Sequence, residues 1–292
     1  MKKVRQRKYY ECVYEGDDIV DQILRSISVY DTDDHLIEAQ SFNADGEVVQ
    51  YERHTYENGN VVETIQEDIM NEAVRKALHE YDGDRIVSQR EYFTDEDYIE
   101  TTYTYDDQHR VTAVHRQDND GVSQGYTTTE YADGKTIEKE YDEEDQLVTM
   151  QEYVTDENGN KTQTTFTRYM GKEEIITEEE ASYQTKDDFA ELRRYRGDTL
   201  ILEAINTFDG QNRIIKTVIN DYLNERFSER SFAYDDTGKV IREEYSETGN
   251  LLRVNEMQYD EEGELIEETM FLNVHGEYFQ TSTNRIEIEY YP

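Results

Sequence analysis

The 292-residue sequence contains no tryptophan, one cysteine and one proline. Cys12 alone excludes an intramolecular disulfide and a cysteine-built metal cluster. With the sole proline at Pro292, no strand inside the chain has to lose a backbone donor. No run of about 18 apolar residues occurs, so no membrane span and no membrane insertion is expected. The opening MKKVRQRK carries the charge of a signal-peptide n-region, but YYECVYEGDD stands where an apolar stretch would be required. A soluble cytoplasmic protein is expected, unless an unconventional route exports it. Basic residues are scarce as well: 30 Lys and Arg face 69 Asp and Glu, for a formal net charge of -39. Phosphate backbones and anionic lipid surfaces are repelled by such a chain at long range, whereas cations and basic proteins are attracted.

Sequence signatures of catalysis are missing too. His35, His54, His79, His109, His115 and His275 include no metal-ligand doublet, and His109 and His115, six apart, lack a third ligand. The DNDG at Asp118 comes nearest to a calcium loop but lacks the alternating acids and distant Glu such a loop needs, so it reads as a hairpin turn. There is no serine elbow, phosphate-cradling loop or dinucleotide fingerprint. No catalytic, cofactor-binding or metal-ligating residue is therefore nominated, and a non-enzyme is expected.

What the chain does have is tyrosine, 25 of them with 9 Phe, in a recurrent frame. Tyr234 is followed by Asp235, then Gly238 and Val240; Tyr259, Asp260, Gly263 and Leu265 repeat it. Tyr245, Gly249 and Leu251 keep the frame without the Asp, as do Phe42, Gly46 and Val48. After Tyr30, Tyr105 and Tyr141 the glycine position holds Asp34, His109 and Asp145, residue types that tolerate positive φ. A shorter frame follows Tyr14, Tyr56, Tyr81 and Tyr195, with Asn-Gly or a Gly-Asp pair at the turn.

Completing the series places anchors at 14, 30, 42, 56, 69, 81, 93, 105, 117, 131, 141, 155, 169, 183, 195, 208, 222, 234, 245, 259 and 271, about one strand and one turn apart. TIQEDIMNEAVRKALHEY tests this periodicity, because Ile65, Ile69, Ala73 and Ala77 fall at helical spacing. Its IMNEAV nevertheless parallels YLNERF at Tyr222, and each is followed at equal distance by an anchor, so 62–80 is expected to be a hairpin, with a helix the alternative. The fold class that follows is all-β: a single domain over 1–292, with a leading strand in 1–13, repeats in 14–271 and a terminal strand in 272–292. Short turns dictate one antiparallel meander of about 20 strands, and accumulated twist predicts a curved or spiralling sheet.

The frames YDDTGKV and YDEEGEL resemble the Tyr-Asp (YD) repeats of the Rhs family of bacterial polymorphic toxins, relatives of wall-associated and teneurin-type proteins. The resemblance covers most of the chain loosely and about five frames closely. It implies a spiralling β-sheet, which in the toxins winds into a shell around a cargo domain; this chain shows no separate toxin domain, and about 20 strands are too few for such a shell.

Together these features lead to an expected non-catalytic acidic scaffold that binds another protein, most plausibly a basic one, in the manner of an immunity protein or antitoxin masking a basic toxin. The competing expectation is a carbohydrate-binding cell-surface module that stacks sugars on exposed Tyr rows.

Overall fold

The structure is a computed structural model, and it describes residues 2–15, 18–94, 96–132, 134–171 and 173–292. The described residues form 22 β-strands and no helix. They begin with β1 (Val4–Glu15), β2 (Asp18–Tyr30), β3 (Leu36–Phe42), β4 (Val48–Glu57), β5 (Asn60–Asp68), β6 (Ala73–Asp82), β7 (Arg85–Tyr92) and β8 (Tyr98–Tyr105). Next come β9 (Val111–Asp118), β10 (Ser123–Ala132), β11 (Lys135–Tyr141), β12 (Leu147–Thr155), β13 (Lys161–Met170), β14 (Glu173–Tyr183) and β15 (Phe189–Arg196). The last are β16 (Thr199–Phe208), β17 (Ile214–Asp221), β18 (Arg226–Tyr234), β19 (Val240–Glu247), β20 (Asn250–Tyr259), β21 (Leu265–Val274) and β22 (Glu277–Tyr290). Every one of the 21 sequence anchors falls within three residues of a strand end.

All 22 strands belong to one sheet, and β1 pairs antiparallel with β22, from Val4 opposite Tyr290 to Glu11 opposite Asn284. The strand order is thus closed, its first and last members being hydrogen-bonded neighbours. The all-β antiparallel expectation stands, and the spiralling form of it is corrected, because the sheet closes. The twist that curls a long sheet brings its first and last strands together here, and their free N–H and C=O groups satisfy each other instead of leaving two bare edges.

The chain divides into two compact units. Unit 1 comprises Met1–Ile99, Ala233–Glu243 and Leu252–Pro292; unit 2 comprises Glu100–Phe232 and Glu244–Leu251. In unit 1, antiparallel registers run from β20 through β21 and β22 to β1 and on to β7. In unit 2 they run from β9 to β18 without interruption. Neither has a dry interior: among the described apolar residues, Val4, Cys12, Ala204 and Val254 are buried, and most strand residues are half-exposed on both faces. Cohesion therefore comes chiefly from ladder hydrogen bonds and cross-strand pairs, each pair contributing about 0.2–1 kcal/mol.

The segment 62–80 is the β5–β6 hairpin. Its turn is built like the one between β17 and β18: Asn71 donates its backbone N–H and its amide to the Asp68 carboxylate, as Asn224 does to Asp221. Glu72 and Glu225 take the positive-φ positions, at 51° and 53°. Helical propensity loses to this capped turn and to the antiparallel register that puts Glu63 opposite Leu78.

In the long frames the positive-φ positions are the expected ones: Asp34 at 66°, His109 at 64° and Asp145 at 59°, beside Gly46, Gly238 and Gly263. The Tyr245 frame differs from expectation. Thr248 and Gly249 both have positive φ, at 50° and 78°, and β19 runs on to Glu247, so this is a two-residue hairpin turn rather than a long frame. The Gly16 and Asp17 of the Tyr14 frame lie outside the described residues.

Candidate functional site

The tyrosine anchors are tied into the sheet. Tyr56 donates its hydroxyl to the Leu36 carbonyl at 2.9 Å, Tyr81 to Val61 at 3.1 Å, Tyr131 to Val111 at 3.0 Å and Tyr259 to Val240 at 2.8 Å. Each accepting carbonyl lies in the first residues after an earlier turn, so the phenol holds a neighbouring turn in place. The rings are also covered. The Arg110 guanidinium sits 4.0 Å from the Tyr131 centroid and Lys239 is 5.2 Å from Tyr259, while His35 stacks on Tyr56 at 4.5 Å; outside the anchor series, Lys161 lies 3.7 Å from the Tyr153 ring. The anchors are scaffold.

Where an aspartate follows an anchor, it organises the turn. Asp106 Oδ1 accepts the backbone N–H groups of Gln108 at 2.8 Å and Arg110 at 3.0 Å, and its Oδ2 takes the Arg110 Nε at 2.8 Å. The backbone N–H four residues on is the largest influence lowering the carboxyl pKa at Asp106, Asp156, Asp209 and Asp235. A carboxyl whose pKa is lower folded than unfolded contributes stability above its unfolded value, about 3.9, and loses it as pH falls from there through the folded value. We expect the quadruple substitution D106N/D156N/D209N/D235N to lower the thermal midpoint at pH 7. The same variant should flatten its decline below about pH 4. Thermal unfolding followed by circular dichroism across pH 7 to about pH 3 checks both, and an unaltered acid limb would refute this role for the aspartates.

Asp31, Asp33 and His35 bring ligand atoms within 4.8 Å of one another, but the Asp31 oxygens already hold the Asp33 and His35 N–H groups and the His35 ring in the same turn pattern. At Asp118 the DNDG is likewise a turn, with Oδ1 accepting from Asp120 and Val122. His109 sits at a positive-φ turn position, and His115 stacks on Tyr126. Burial, together with a 2.9 Å hydrogen bond to Glu138, pushes the Tyr153 phenol up to about 12, so it stays protonated near neutrality.

Two surfaces meet on β14 in unit 2. Side chains alternate across a strand, so Glu174, Glu178 and Glu180 share one face while Thr177 and Glu179 share the other. On the first face Glu174 lies opposite Tyr169, and Glu178 lies between Thr165 and Tyr195. Glu180 lies between Gln163 and Arg193, but Arg193 already pairs with Glu191 and Glu203. All three glutamates are exposed, and none forms an ion pair among the described residues.

On the other face, one cross-strand row runs Thr164, Glu179, Arg194, Leu202, Asp221. It crosses a depression of ≈ 530 Å³ also lined by Gln151, Phe166, Thr177, Arg196 and Leu223. Arg194 is fixed by Glu179 through Nε at 3.0 Å and Nη2 at 2.7 Å. No sequence reading nominated these residues. The available signal was RRYR at 193–196, which puts two arginines on one face in a chain poor in bases.

Fold and site together define a class: a closed, antiparallel β-repeat protein with hydrogen-bonded tyrosine–aspartate turns. No family model and no curated protein sequence matches the chain. Among solved structures it is similar to a porin-like protein from Bacteroides uniformis ATCC 8492, at 11% identity and a TM-score of 0.26, covering 98% of this chain and 96% of that one. It is also similar to TcdB2-TccC3 without its hypervariable C-terminal region, at 13% identity and a TM-score of 0.22, and to TcdB2-TccC3, at 12% and 0.20. Those two matches cover 90% and 92% of this chain but about a fifth of the partner chains, 21% and 20%. Scores this low assign neither family nor activity.

Proposed function

We propose that this chain is a non-catalytic β-repeat scaffold that binds a basic protein through the acidic face of unit 2. The observation that carries the reading is the row Glu174, Glu178 and Glu180, three exposed carboxylates on one strand face that form no ion pair among the described residues, the neighbouring Arg193 being engaged by Glu191 and Glu203. Glu178 and Glu180, two residues apart on that face, lie within a Debye length and repel, while Glu174, with Ile176 between, extends the same sign of charge along the strand. A cationic partner turns that repulsion into attraction and steers the encounter. Masking of a basic toxin by an immunity-type protein is the specific form we favour.

Both sheet faces belong in water under this reading. On β11, Lys135 and Lys139 occupy one face and Glu138 and Glu140 the other, whereas a membrane barrel turns an apolar band outward. A sugar-stacking role has less support, since His35, Arg110 and Lys239 cover the anchor rings of Tyr56, Tyr131 and Tyr259.

The test uses one variant with two opposite readouts. E174Q/E178Q/E180Q is expected to raise the thermal midpoint by relieving repulsion, and to reduce capture of a basic partner from the native host. Capture by the unsubstituted chain should fade as ionic strength rises. Capture that is equal for both chains, or indifferent to salt, would overturn the proposal.

A further inference from the structure

The depression on the opposite face of β14 has a chemistry the acidic row does not share. Its volume lies within the range of small-molecule sites. Phe166 is 38% exposed and Leu223 56%, a large apolar area left open at its rim. Leu223 is set there by the backbone: Tyr222 and Leu223 both donate N–H groups to the Ile201 carbonyl, at 3.0 and 3.4 Å, folding the turn back over β16. Asp221, the acid on that side, is occupied by Asn224.

The cations are what distinguish the place. Arg194 is held by Glu179, and Arg196, exposed and on the same face, has no acidic partner among the described residues. The sister turn in unit 1 supplies an internal control. It is capped in the same way, and Ile69 donates its N–H to Val49 at 3.0 Å as Tyr222 does to Ile201. The depression beside it, ≈ 370 Å³, is lined by Glu52, Glu67, Asp68 and Arg75, an acidic balance in keeping with the chain as a whole. The turn architecture by itself therefore does not produce a pocket in which two arginines, Arg194 and Arg196, offset its two acids beside Phe166, Leu202 and Leu223.

We propose that the unit 2 depression binds a small amphipathic carboxylate, its hydrocarbon body against Phe166, Leu202 and Leu223 and its carboxylate on Arg196, with Arg194 alongside. The planar guanidinium fork suits a carboxylate and carries little hydration to lose. Thr164, Thr177 and Gln151 offer neutral hydrogen bonds around it. The long-range field of the acidic chain is screened beyond about 8–10 Å, so the adjacent arginines govern the final approach.

Octanoate and its neutral analogue 1-octanol are the probes, titrated calorimetrically into the full chain. Octanoate is expected to bind with a Kd of about 1 mM or tighter and 1-octanol about tenfold more weakly. R196A should weaken octanoate about tenfold, the usual loss of a charge-assisted hydrogen bond, and leave 1-octanol unchanged. K186A removes the same charge from an exposed turn and should change neither. Absence of octanoate binding, equal affinity for the two probes, or equal effects of R196A and K186A would each overturn the proposal. Since this face is not the one bearing Glu174, Glu178 and Glu180, its failure leaves the protein-partner reading standing, and the reverse holds.

Discussion

Gly125→Ala is expected to destabilise the protein by about 3–5 kcal/mol, whereas Gly159→Ala costs only about 1–2 kcal/mol. Backbone conformation barely separates the two, with φ of 92° and 88°. Space does. A Cβ on Gly159 meets nothing within 4 Å, but on Gly125 it would stand 2.6 Å from the Tyr141 carbonyl oxygen. That oxygen is backbone, fixed in the β10–β11 ladder that pairs Tyr126 with Tyr141, so it cannot swing aside as a side chain would. Gly125 lies where the β9–β10 register shifts between Ser123 and Tyr126. The irregularity admits Tyr126 to a stack with Tyr141 at 4.6 Å and His115 at 5.3 Å. An inserted methyl must break the pairing or push strands apart. Urea unfolding of both variants gives the comparison; equal losses would show that the left-handed backbone alone, and not the close approach, makes glycine necessary at 125.

Local chemistry was the part of this fold that sequence made legible. Asp34, His109 and Asp145 could be assigned positive φ because a turn is decided by four or five neighbouring residues. Spacing identified 62–80 as a hairpin for the same reason, its likeness to 222–227 outweighing propensity. Tyr245 was misassigned because its frame keeps the glycine but lacks the aspartate that organises a long turn, so Thr248 and Gly249 make a tighter one. Closure was not legible at all. Whether the first strand meets the last depends on twist summed over 22 strands, and no motif in Val4–Glu11 or Asn284–Tyr290 announces the other. The pocket escaped on similar grounds: Thr164, Glu179, Arg194 and Leu202 become neighbours only through three successive registers. On β14, by contrast, the acidic row could be read from EEIITEEE once its strand and phase were known.

Closure itself yields the other large expected effect. A chain lacking 277–292 should elute as dimers and larger species, and should unfold with a broader, lower transition. Removal of β22 strips β1 of seven Cα-paired positions, from Val4 to Glu11, and leaves β21 bare along its far side. It also removes the ion pair of Arg5 with Glu289, the hydrogen bond of Tyr10 with Glu287 and that of the Tyr291 hydroxyl with the Tyr30 carbonyl. Two unsatisfied edges then pair with other copies, because an open strand offers a full row of donors and acceptors. Size-exclusion chromatography with light scattering reads the outcome. A complementary gain comes from cross-linking the same seam: with Cys12 replaced by Ser, Lys8→Cys and Glu287→Cys place two thiols at directly paired positions. Their disulfide ties the chain nearly end to end, the geometry in which loop entropy is largest, so stability should rise by up to about 5 kcal/mol on oxidation. A truncated chain that remains monomeric and cooperative, together with a cross-link that fails to form, would mean that β1 and β22 are not joined in solution, and the sheet would return to an open meander.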